Sequence, residues 1–547
     1  MQPPRRARAV VVGLQETAEL LELAGENPFR ARAYANASRT VLDLGGELEE
    51  LVTGGRLAGV KGIGKVLAAD IVTLWEGAEP AVLADLRGRV PAGLKELMSV
   101  PGLGPKRIRM LYEKYGVVSL ETLEEALTAG RLAGAPGLGG KTLERLAAGL
   151  AGVKANRGRV RADQGAALAA DITADLAAAG VPEVIVAGAL RRCCEVIDSV
   201  DLVALGEPRT VARAAAGLGL EAAGGHLAGR TEDGLPVRVW MATPSTRGAA
   251  LLLATGPDEH VAALRNAGWP GQGESEEAIY EGLGMHPVPP EWRDRPGLQA
   301  PEEPLVERGQ ILGMLHVHTE WSDGMNTLRE MAEGARDRGC THVAVCDHSR
   351  SAAYAGGLDE RRVRAQADAV DALNADLTGV TVLKGTECDI LADGSLDFPD
   401  ELLASFDLVV ASIHSRFELD AAQQTARLVR AVSNPRVDIL GHPTGRLLLD
   451  RPGYPVDIDA VVSACREHGV AVEINASPWR LDLDWRNVLR LRAPGLRWAV
   501  NTDAHELAGL DDLEYGVGVA RKAGLTPAEV INTLALDGLR EWLRDRR

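Results

Sequence analysis

Long hydrophobic runs, paired cysteines and an excess of positive charge are all missing from this sequence. The longest apolar runs, such as Val409 to Ile413, are far shorter than the roughly 20 residues that a membrane-spanning helix needs, so no membrane span is predicted. The six cysteines show no paired metal-binding spacing, and the adjacent Cys193 and Cys194 are poorly placed for a structural disulfide. The sequence therefore predicts a reduced, cytoplasmic protein.

The charge balance of the chain is acidic. The chain has 60 lysine and arginine residues against 77 aspartate and glutamate residues, which gives a net charge of -17 at pH 7. Such a protein does not coat nucleic acid through bulk electrostatics, so any DNA must be bound at local sites. At 547 residues the chain is also far longer than one hydrophobic core supports, which predicts two to four domains.

One short glycine-containing pattern occurs three times near the N-terminus, each time before a helical stretch. The copies are Val60–Lys65, Val100–Lys106 and Ala135–Lys141. Glycine permits backbone angles that are closed to other residues, and the helix that follows presents free N–H groups to an anion. The pattern predicts three helix-hairpin-helix motifs that bind DNA phosphates, with the contacts made by Gly62, Gly64, Lys65, Gly102, Gly104, Lys106, Arg107, Gly137, Gly139 and Lys141.

A single Gly-x-Gly segment is also compatible with a tight turn in a helical bundle. Three copies in one arrangement favour DNA binding instead. Contacts between backbone N–H groups and phosphates carry no sequence information, and each hairpin adds only one or two basic side chains. An acidic chain can therefore still bind DNA without reading its sequence.

Between Glu183 and Val203 the sequence predicts a strand, a short helix and a second strand. This segment resembles the palm motif of family X DNA polymerases, Gly-Ser-x-Arg-Arg-Gly followed by Asp-x-Asp. In that family the Gly-Ser turn holds the nucleoside triphosphate and the aspartates hold two Mg²⁺ ions. Upstream, Leu20–Tyr34 resembles the opening of the small DNA-binding domain of the same family. Family members with deoxyribose-phosphate lyase activity form a Schiff base through a lysine, and the position that matches this lysine is Asp70 in this chain. The lyase activity is therefore not expected.

The departures from the palm motif fall on the residues that hold nucleotide and metal. Ala189 replaces the turn serine, Ser199 replaces the first aspartate and Arg238 aligns with the third. Mg²⁺ needs oxygen ligands that Ser199 and Arg238 do not supply, so a weak or inactive polymerase centre is predicted. The predicted degenerate polymerase site consists of Gly188, Ala189, Arg191, Ser199, Asp201 and Arg238. An alternative is that Asp198 or Glu195 substitutes for a lost aspartate.

After the proline-rich stretch from Pro287 to Pro304, short apolar strands alternate with helical segments, which predicts an α/β barrel or doubly wound sheet. Nine residues of His, Asp and Glu type follow these strands: His316, His318, Asp323, His348, Glu387, His414, His442, Asp503 and His505. Because barrel enzymes place their chemistry at the C-terminal ends of strands, we expect these side chains to converge. His342 and His468 lie elsewhere and are predicted to be core or surface residues.

The order of these residues resembles the PHP (polymerase and histidinol phosphatase) domain. By that resemblance one ion is held by His316, His318, Glu387 and Asp503, a second by Glu387, His414 and His442, and a third by Asp323, His348 and His505. Such mixed imidazole and carboxylate ligation suits Zn²⁺ or Mn²⁺ better than Mg²⁺, so two or three Zn²⁺ or Mn²⁺ ions are expected in this domain. Mg²⁺ is expected only in the palm, and only if the palm is active. Arg416 and Arg446 are predicted to bind phosphate oxygens, with surface salt bridges as the alternative.

The predicted fold is multidomain, with helical N-terminal domains, an α/β nucleotidyltransferase-like palm and a C-terminal distorted (β/α)7 barrel. The expected domains are a DNA-end-binding domain with the first hairpin, fingers with the second and third, a degenerate palm, a reduced thumb with linker, and the PHP domain; their bounds are 1–80, 81–150, 151–240, 241–304 and 305–547.

The resemblance implies a DNA-repair protein in which the PHP domain hydrolyses phosphodiesters at the 3′ ends of DNA, as a 3′–5′ exonuclease or 3′-end phosphoesterase. Its expected partner is gapped, nicked or 3′-recessed DNA. Two alternatives stay open: an active gap-filling polymerase of base excision repair, and a small-molecule phosphatase with vestigial DNA-binding modules. A DNA-binding scaffold with an inert barrel is opposed by the complete set of ligand residue types.

Overall fold

The computed structural model describes residues 5–45, 47–231 and 234–546, and the chain forms two compact units, Met1–Arg157 and Gly158–Arg547. No helix in the described part of the chain combines the length and the apolar character needed to cross a lipid bilayer.

The first unit is entirely helical. Its helices are α1 (Arg5–Leu23), α2 (Pro28–Leu44), α3 (Glu47–Thr53), α4 (Lys65–Trp75), α5 (Ala81–Arg89), α6 (Ala92–Glu96), α7 (Pro105–Tyr115), α8 (Leu120–Thr128) and α9 (Gly140–Asn156). Val10, Leu14 and Leu21 of α1 recur at helical spacing and are fully buried, so one face of α1 packs on the neighbouring helices. At Gly13 a Cβ atom would lie 2.5 Å from a terminal methyl group of Leu74, so a larger residue there would require the Leu74 side chain of α4 to shift.

The second unit begins with a mixed α/β layer. Its elements are β1 (Val160–Arg161), α10 (Ala162–Ala178), β2 (Glu183–Val186), α11 (Gly188–Arg191), β3 (Val196–Ile197), β4 (Val200–Leu205), α12 (Pro208–Ala216), β5 (Glu221–Ala223), β6 (His226–Arg230) and β7 (Pro236–Ala242). Five strands form one sheet in the order β2-β4-β7-β6-β5. Only β4 and β7 are parallel, and their register sets Asp201 directly opposite Arg238.

Three helices with a small core of their own follow the palm sheet: α13 (Arg247–Thr255), α14 (Asp258–Asn266) and α15 (Glu276–Gly282). Glu276 at the start of α15 is buried. Its carboxylate accepts hydrogen bonds from Arg191, at 2.6 Å and 2.8 Å, and from Arg293, at 2.9 Å. The second arginine of the palm motif, Arg192, binds Asp294 at 3.0 Å. The arginine pair of the palm motif therefore joins the sheet to the thumb-like helices.

The remaining residues form a barrel. Its elements are β8 (Gly313–Val317), α16 (Leu328–Asp337), β9 (His342–Val345), α17 (Glu360–Asp376), β10 (Thr381–Asp389), α18 (Asp400–Leu403), β11 (Leu408–Ser412), α19 (Ala421–Val432), β12 (Ile439–Leu440), α20 (Ile458–Glu467), β13 (Ala471–Asn475), α21 (Trp485–Leu491), β14 (Trp498–Asn501), α22 (Leu513–Ala523) and α23 (Leu536–Arg546). The seven strands are parallel and adjacent in chain order. Their residues are buried almost without exception, as expected when helices cover a parallel sheet.

The two outer strands of the barrel approach each other. A parallel bridge joins Val317 to Ala504, and the amide of Asp503 donates to the carbonyl of His316 at 3.0 Å. The sheet is thus a nearly closed barrel of seven strands, and the predicted multidomain fold with a (β/α)7 barrel is confirmed.

The palm and the barrel belong to the same compact unit, and buried charges link them. Glu195 of the palm accepts from Arg446 at 2.8 Å and from Arg486 at 3.1 Å. Lys522 of α22 is almost fully buried and binds the carboxylate of Asp294. The stretch before the barrel, predicted as a linker, therefore contributes side chains to this contact.

Candidate metal centre and nucleic-acid interface

The nine residues predicted as metal ligands all lie at or just after the C-terminal ends of barrel strands. His316 and Glu387 are on β8 and β10, and the others are in the loops that follow. Eight of the nine form three groups whose ligand atoms lie within 4.8 Å of one another: His316, His318, Glu387 and Asp503; His318, Asp323, His348 and His505; and His348, Glu387 and His414. The ninth, His442, has its Nε2 atom 3.0 Å from Glu387 Oε1.

These groups differ in two respects from the ligand sets implied by the resemblance. His348 joins Glu387 and His414 in the second group, where His442 was expected. His318 is shared between the other two groups. Glu387 lies between two of the groups, as expected for a bridging carboxylate.

The buried polar atoms of the centre fit metal ions. His316 Nε2 and both ring nitrogens of His318 are buried and make no hydrogen bond among the described residues. His316 Nε2 lies 3.6 Å from Glu387 Oε2 and 3.6 Å from Asp503 Oδ1. Buried polar atoms that converge on carboxylates without hydrogen bonds are costly in a protein unless an ion occupies the space between them.

The electrostatics of the centre favour deprotonated ligands at two positions. Burial, together with the nearby His505 and His348, lowers the pKa of His318 to about 3, so its imidazole is neutral at pH 7. Burial alone would raise the pKa of Glu387, but His414, His316 and His348 outweigh it and hold that pKa well below its usual range. A neutral imidazole and an ionised carboxylate are the forms that bind metal.

Two carboxylates that the sequence did not single out orient these ligands. Glu473 of β13 is fully buried, and its Oε1 atom lies 2.8 Å from His316 Nδ1, which directs Nε2 toward the centre. Asp389 Oδ1 lies 3.1 Å from His414 Nδ1 in the same way. The sequence signal of Glu473 is a carboxylate between the apolar residues Val472 and Ile474 of β13, and that of Asp389 is its position two residues after Glu387, on the same face of β10.

The backbone is strained at two of the predicted ligands. His442 has a φ of 23° and Asp503 a φ of 53°, in the region that favours glycine. Such strain persists only where the surroundings enforce it, and it is common at functional sites. Here Glu473 accepts from the amide of His442 at 2.7 Å, and Asn475 donates to Asp503 Oδ2 at 3.0 Å.

The two arginines predicted to bind phosphate have different surroundings. Arg416 is exposed after β11, with a φ of 60° and one long contact of 3.6 Å to Glu418. Arg446 is largely buried and donates to Glu195 and to the carbonyls of Arg480 and Leu481. These contacts occupy the guanidinium of Arg446, so phosphate binding by this residue does not fit the structure.

A third arginine at the centre escaped the sequence analysis. Arg480, in the loop after β13, has its Nε atom 3.7 Å from Asp503 Oδ2 and is partly exposed. It has no motif of its own, and only the fold brings it beside Asp503, in the loop that follows β14.

The three predicted hairpins have the same backbone geometry. Their first glycines, Gly62, Gly102 and Gly137, have φ values of 91°, 89° and 73°. Their second glycines, Gly64, Gly104 and Gly139, are the N-caps of α4, α7 and α9 and supply no capping side chain. A Cβ atom built on any of these N-cap glycines meets nothing within 4 Å, so a large group can approach the helix N-termini closely.

The basic side chains of the hairpins, Lys65, Lys106 and Lys141, are exposed. Arg107 is exposed as well but donates to the carbonyl of Gly102 at 2.7 Å. In the first unit Asp70 accepts from the hydroxyl of buried Tyr34 at 2.5 Å, and burial together with this carboxylate raises the pKa of Tyr34 to about 12. Asp70 therefore has a structural partner.

In the palm, Arg238 binds the one aspartate that remains of the metal-binding motif. Its guanidinium binds Asp201 at 2.6 Å and 2.9 Å, and Ser199 at 2.8 Å. Gly188 is needed beside them, because it has a φ of 63° and a Cβ there would lie 2.5 Å from Asp201. Ala189 is next to it on α11 and offers no hydroxyl.

Replacement of a lost aspartate by Glu195 does not fit the structure. Its carboxylate is buried and bound to Arg446 and Arg486 of the barrel, away from Asp201. Asp198 is exposed, and its Oδ1 atom lies 3.4 Å from the hydroxyl of Ser199. Of the two carboxylates proposed as substitutes for a lost aspartate, only Asp198 therefore lies near the palm site.

Comparisons with known proteins agree with this architecture. Residues 8–79 match the family described as "Helix-hairpin-helix domain", residues 94–151 match "SAM-like Helix-hairpin-helix tandem", and residues 314–477 match "PHP domain". The fold and the convergent ligand groups together define a metal-dependent phosphoesterase of the PHP type joined to DNA-binding helical modules and a nucleotidyltransferase-like sheet.

A relative in Bacillus subtilis (strain 168), "DNA polymerase/3′-5′ exonuclease PolX", is 33% identical over 98% of this chain and 99% of its own length. The chain therefore belongs to the bacterial family X DNA polymerases with a C-terminal PHP domain, as predicted. A "Probable phosphatase" of Thermoanaerobacter sp. (strain X514) is 31% identical over 42% of this chain and 94% of its own length, and one of Syntrophotalea carbinolica is 28% identical over 40% and 90%.

Proposed function

We propose that this protein removes nucleotides or blocking groups from the 3′ ends of DNA with its PHP barrel, and that its palm does not add nucleotides. The observation that carries the proposal is the convergence of three ligand groups at one end of the barrel, two of which share Glu387, with unpaired imidazole nitrogens buried beside the carboxylates. The relative from Bacillus subtilis, which covers nearly the whole chain, supports the same reaction.

The residues of the centre would have distinct roles. His316, His318, Glu387 and Asp503, with Asp323, His348, His414, His442 and His505, would hold two or three divalent ions, for which we propose Mn²⁺ or Zn²⁺. Bound ions would activate a water molecule and neutralise the charge that develops on the phosphoryl oxygens. Glu473 and Asp389 keep two of the imidazoles in position. We propose that exposed Arg416 and partly exposed Arg480 bind nonbridging phosphate oxygens.

The DNA substrate is proposed to be a gap, a nick or a 3′-recessed end. The N-cap glycines leave the N-termini of α4, α7 and α9 open, so that each can receive a backbone phosphate without reading sequence. A polymerase reaction in the palm is opposed by Arg238, which neutralises Asp201 where two-metal catalysis needs an ion.

The test is Mn²⁺-dependent degradation of a 5′-labelled, 3′-recessed duplex, with primer extension by all four nucleotides run alongside. We expect stepwise trimming by the wild type, loss of trimming by at least about a hundredfold in His316→Ala with His318→Ala, and no extension by either. His468→Ala, which alters an exposed histidine outside the centre, is the matched control. Primer extension by the wild type would show that the palm is active and that this part of the proposal is wrong.

A further inference from the structure

Three large apolar side chains are exposed on the described part of the barrel: Met325 at 63%, Tyr354 at 74% and Trp479 at 53%. They lie in the loops that follow β8, β9 and β13, at the same end of the barrel as the ligand groups. Exposed apolar groups that gather around one site, and are rare elsewhere on the same domain, indicate a binding surface.

Tyr354 is close to the centre. Its ring centroid lies 6.4 Å from that of His348. The ring is otherwise open to solvent, so a planar group beside the centre can stack on it.

Met325 and Trp479 flank the same centre. The amide of Met325 donates to the carbonyl of His505 at 2.7 Å, and Trp479 precedes Arg480, whose Nε atom lies 3.7 Å from Asp503 Oδ2. The guanidinium of Arg161 lies 3.5 Å from the centroid of the Trp479 ring and covers one of its faces. Asp163 holds that guanidinium with contacts of 3.0 Å and 3.1 Å, so the ring is fixed before any ligand binds.

We propose that Met325, Tyr354 and Trp479 form a base-binding rim that holds the terminal nucleobases of a DNA strand whose 3′ end is at the metal centre. This inference rests on the proposed function and adds the part of the substrate that the metal ligands do not contact. A phosphate group alone would make no favourable contact with three exposed apolar side chains. The bases of a polynucleotide would, because the flat face of every base can stack on an aromatic ring whatever the identity of the base.

The first test separates the base from the phosphate. The full chain is given short single-stranded oligonucleotides with Mn²⁺, carrying either thymines or abasic analogues at the last two 3′ positions. We expect the wild type to prefer the thymine substrate by about tenfold in kcat/KM. Tyr354→Ala should lose this preference, whereas Tyr354→Phe, which keeps the ring, should retain it. A preference that survives in Tyr354→Ala, or an equal loss on both substrates, would overturn the proposal.

The second test needs neither metal nor turnover. With a chelator present, the quenching of tryptophan fluorescence by a thymine trinucleotide is compared between the wild type and Trp479→Ala. We expect the quenching to fall by at least about half in the variant, and an abasic trinucleotide to quench neither. Unchanged quenching in Trp479→Ala would contradict the rim. If the wild type binds the trinucleotide through Trp479 but never hydrolyses DNA, the proposed function fails while the rim is upheld.

Discussion

Asp201 in the palm sheet is a buried carboxylate whose charge is balanced by one cation, Arg238. The two residues are paired across β4 and β7, and the hydroxyl of Ser199 binds both. A Mg²⁺ ion at Asp201 would have to displace the guanidinium of Arg238, which would then lose its counter-ion, so this contact opposes metal binding.

We predict that Arg238→Ala destabilises the palm without restoring nucleotide addition. The buried carboxylate of Asp201 would lose its counter-ion, but Arg238 is partly exposed and water can replace it, so the expected loss is about 1–3 kcal/mol. Urea unfolding followed by tryptophan fluorescence measures the loss. The stability of Arg238→Lys should lie between those of the wild type and Arg238→Ala, because lysine keeps the positive charge but cannot make the second contact with Asp201. A variant as stable as the wild type would show that the ion pair contributes nothing.

The sequence allowed the ligand residue types to be predicted because most of them follow a short apolar run, which is typical of a buried strand. It did not allow the partners of Arg446 to be predicted. Glu195 is 251 positions away and meets Arg446 only because the palm and barrel pack together. The contact of Glu473 with His316, 157 positions apart, was missed because only the closure of the barrel brings β13 close to β8. Whether the nine residues hold ions stays a prediction.

At the scale of elements, the hairpins were predictable because their requirement is local. Each needs one glycine with positive φ and one glycine that caps the next helix, and the three copies repeat both at the same spacing. The barrel strands were predictable as well, since a buried parallel strand is a continuous apolar run. The ladder of β4 with β7 was not, because it joins segments that are far apart in sequence and depends on packing.

The two glycines of one hairpin should respond differently to substitution. Gly104 has a φ of -89° and open space around its Cβ, so Gly104→Ala should leave the unfolding temperature unchanged and weaken DNA binding several-fold by keeping a phosphate away from α7. Gly102 has a φ of 89°, so Gly102→Ala should destabilise the hairpin by about 1–2 kcal/mol. Thermal unfolding and fluorescence anisotropy with labelled gapped DNA measure both effects. Equal DNA affinity in Gly104→Ala and wild type would exclude this contact.

At the scale of the larger unit, Asp512 lies near carboxylates from several elements. Its pKa is raised from 3.8 to about 7 by burial and by Asp163, Asp511 and Glu506, with Arg161 acting in the opposite direction. An acid whose pKa is raised by folding binds its proton more tightly in the folded state. Its contribution to stability is therefore fully present below about pH 4 and is lost as the pH rises through about 7.

We predict that Asp512→Asn stabilises the protein more at about pH 8 than at about pH 5, because asparagine stays neutral at both values. Thermal unfolding of wild type and variant in matched buffers at the two pH values measures the difference. Asp537→Asn, at an exposed position of α23, is the control and should show no such dependence. A gain that is equal at both pH values would mean that Asp512 titrates normally in the folded state.

The buried charges between palm and barrel fix where the chain can be divided. Arg446, Arg521 and Lys522 belong to the barrel, whereas Glu195, Glu291 and Asp294, which neutralise them, precede it. A barrel expressed from residue 305 onward would keep three cations on a newly bared surface and lose these counter-ions. We therefore expect that removal of the residues before 305 destabilises the barrel, so that these residues contribute to the stability of their neighbour whether or not the palm adds nucleotides.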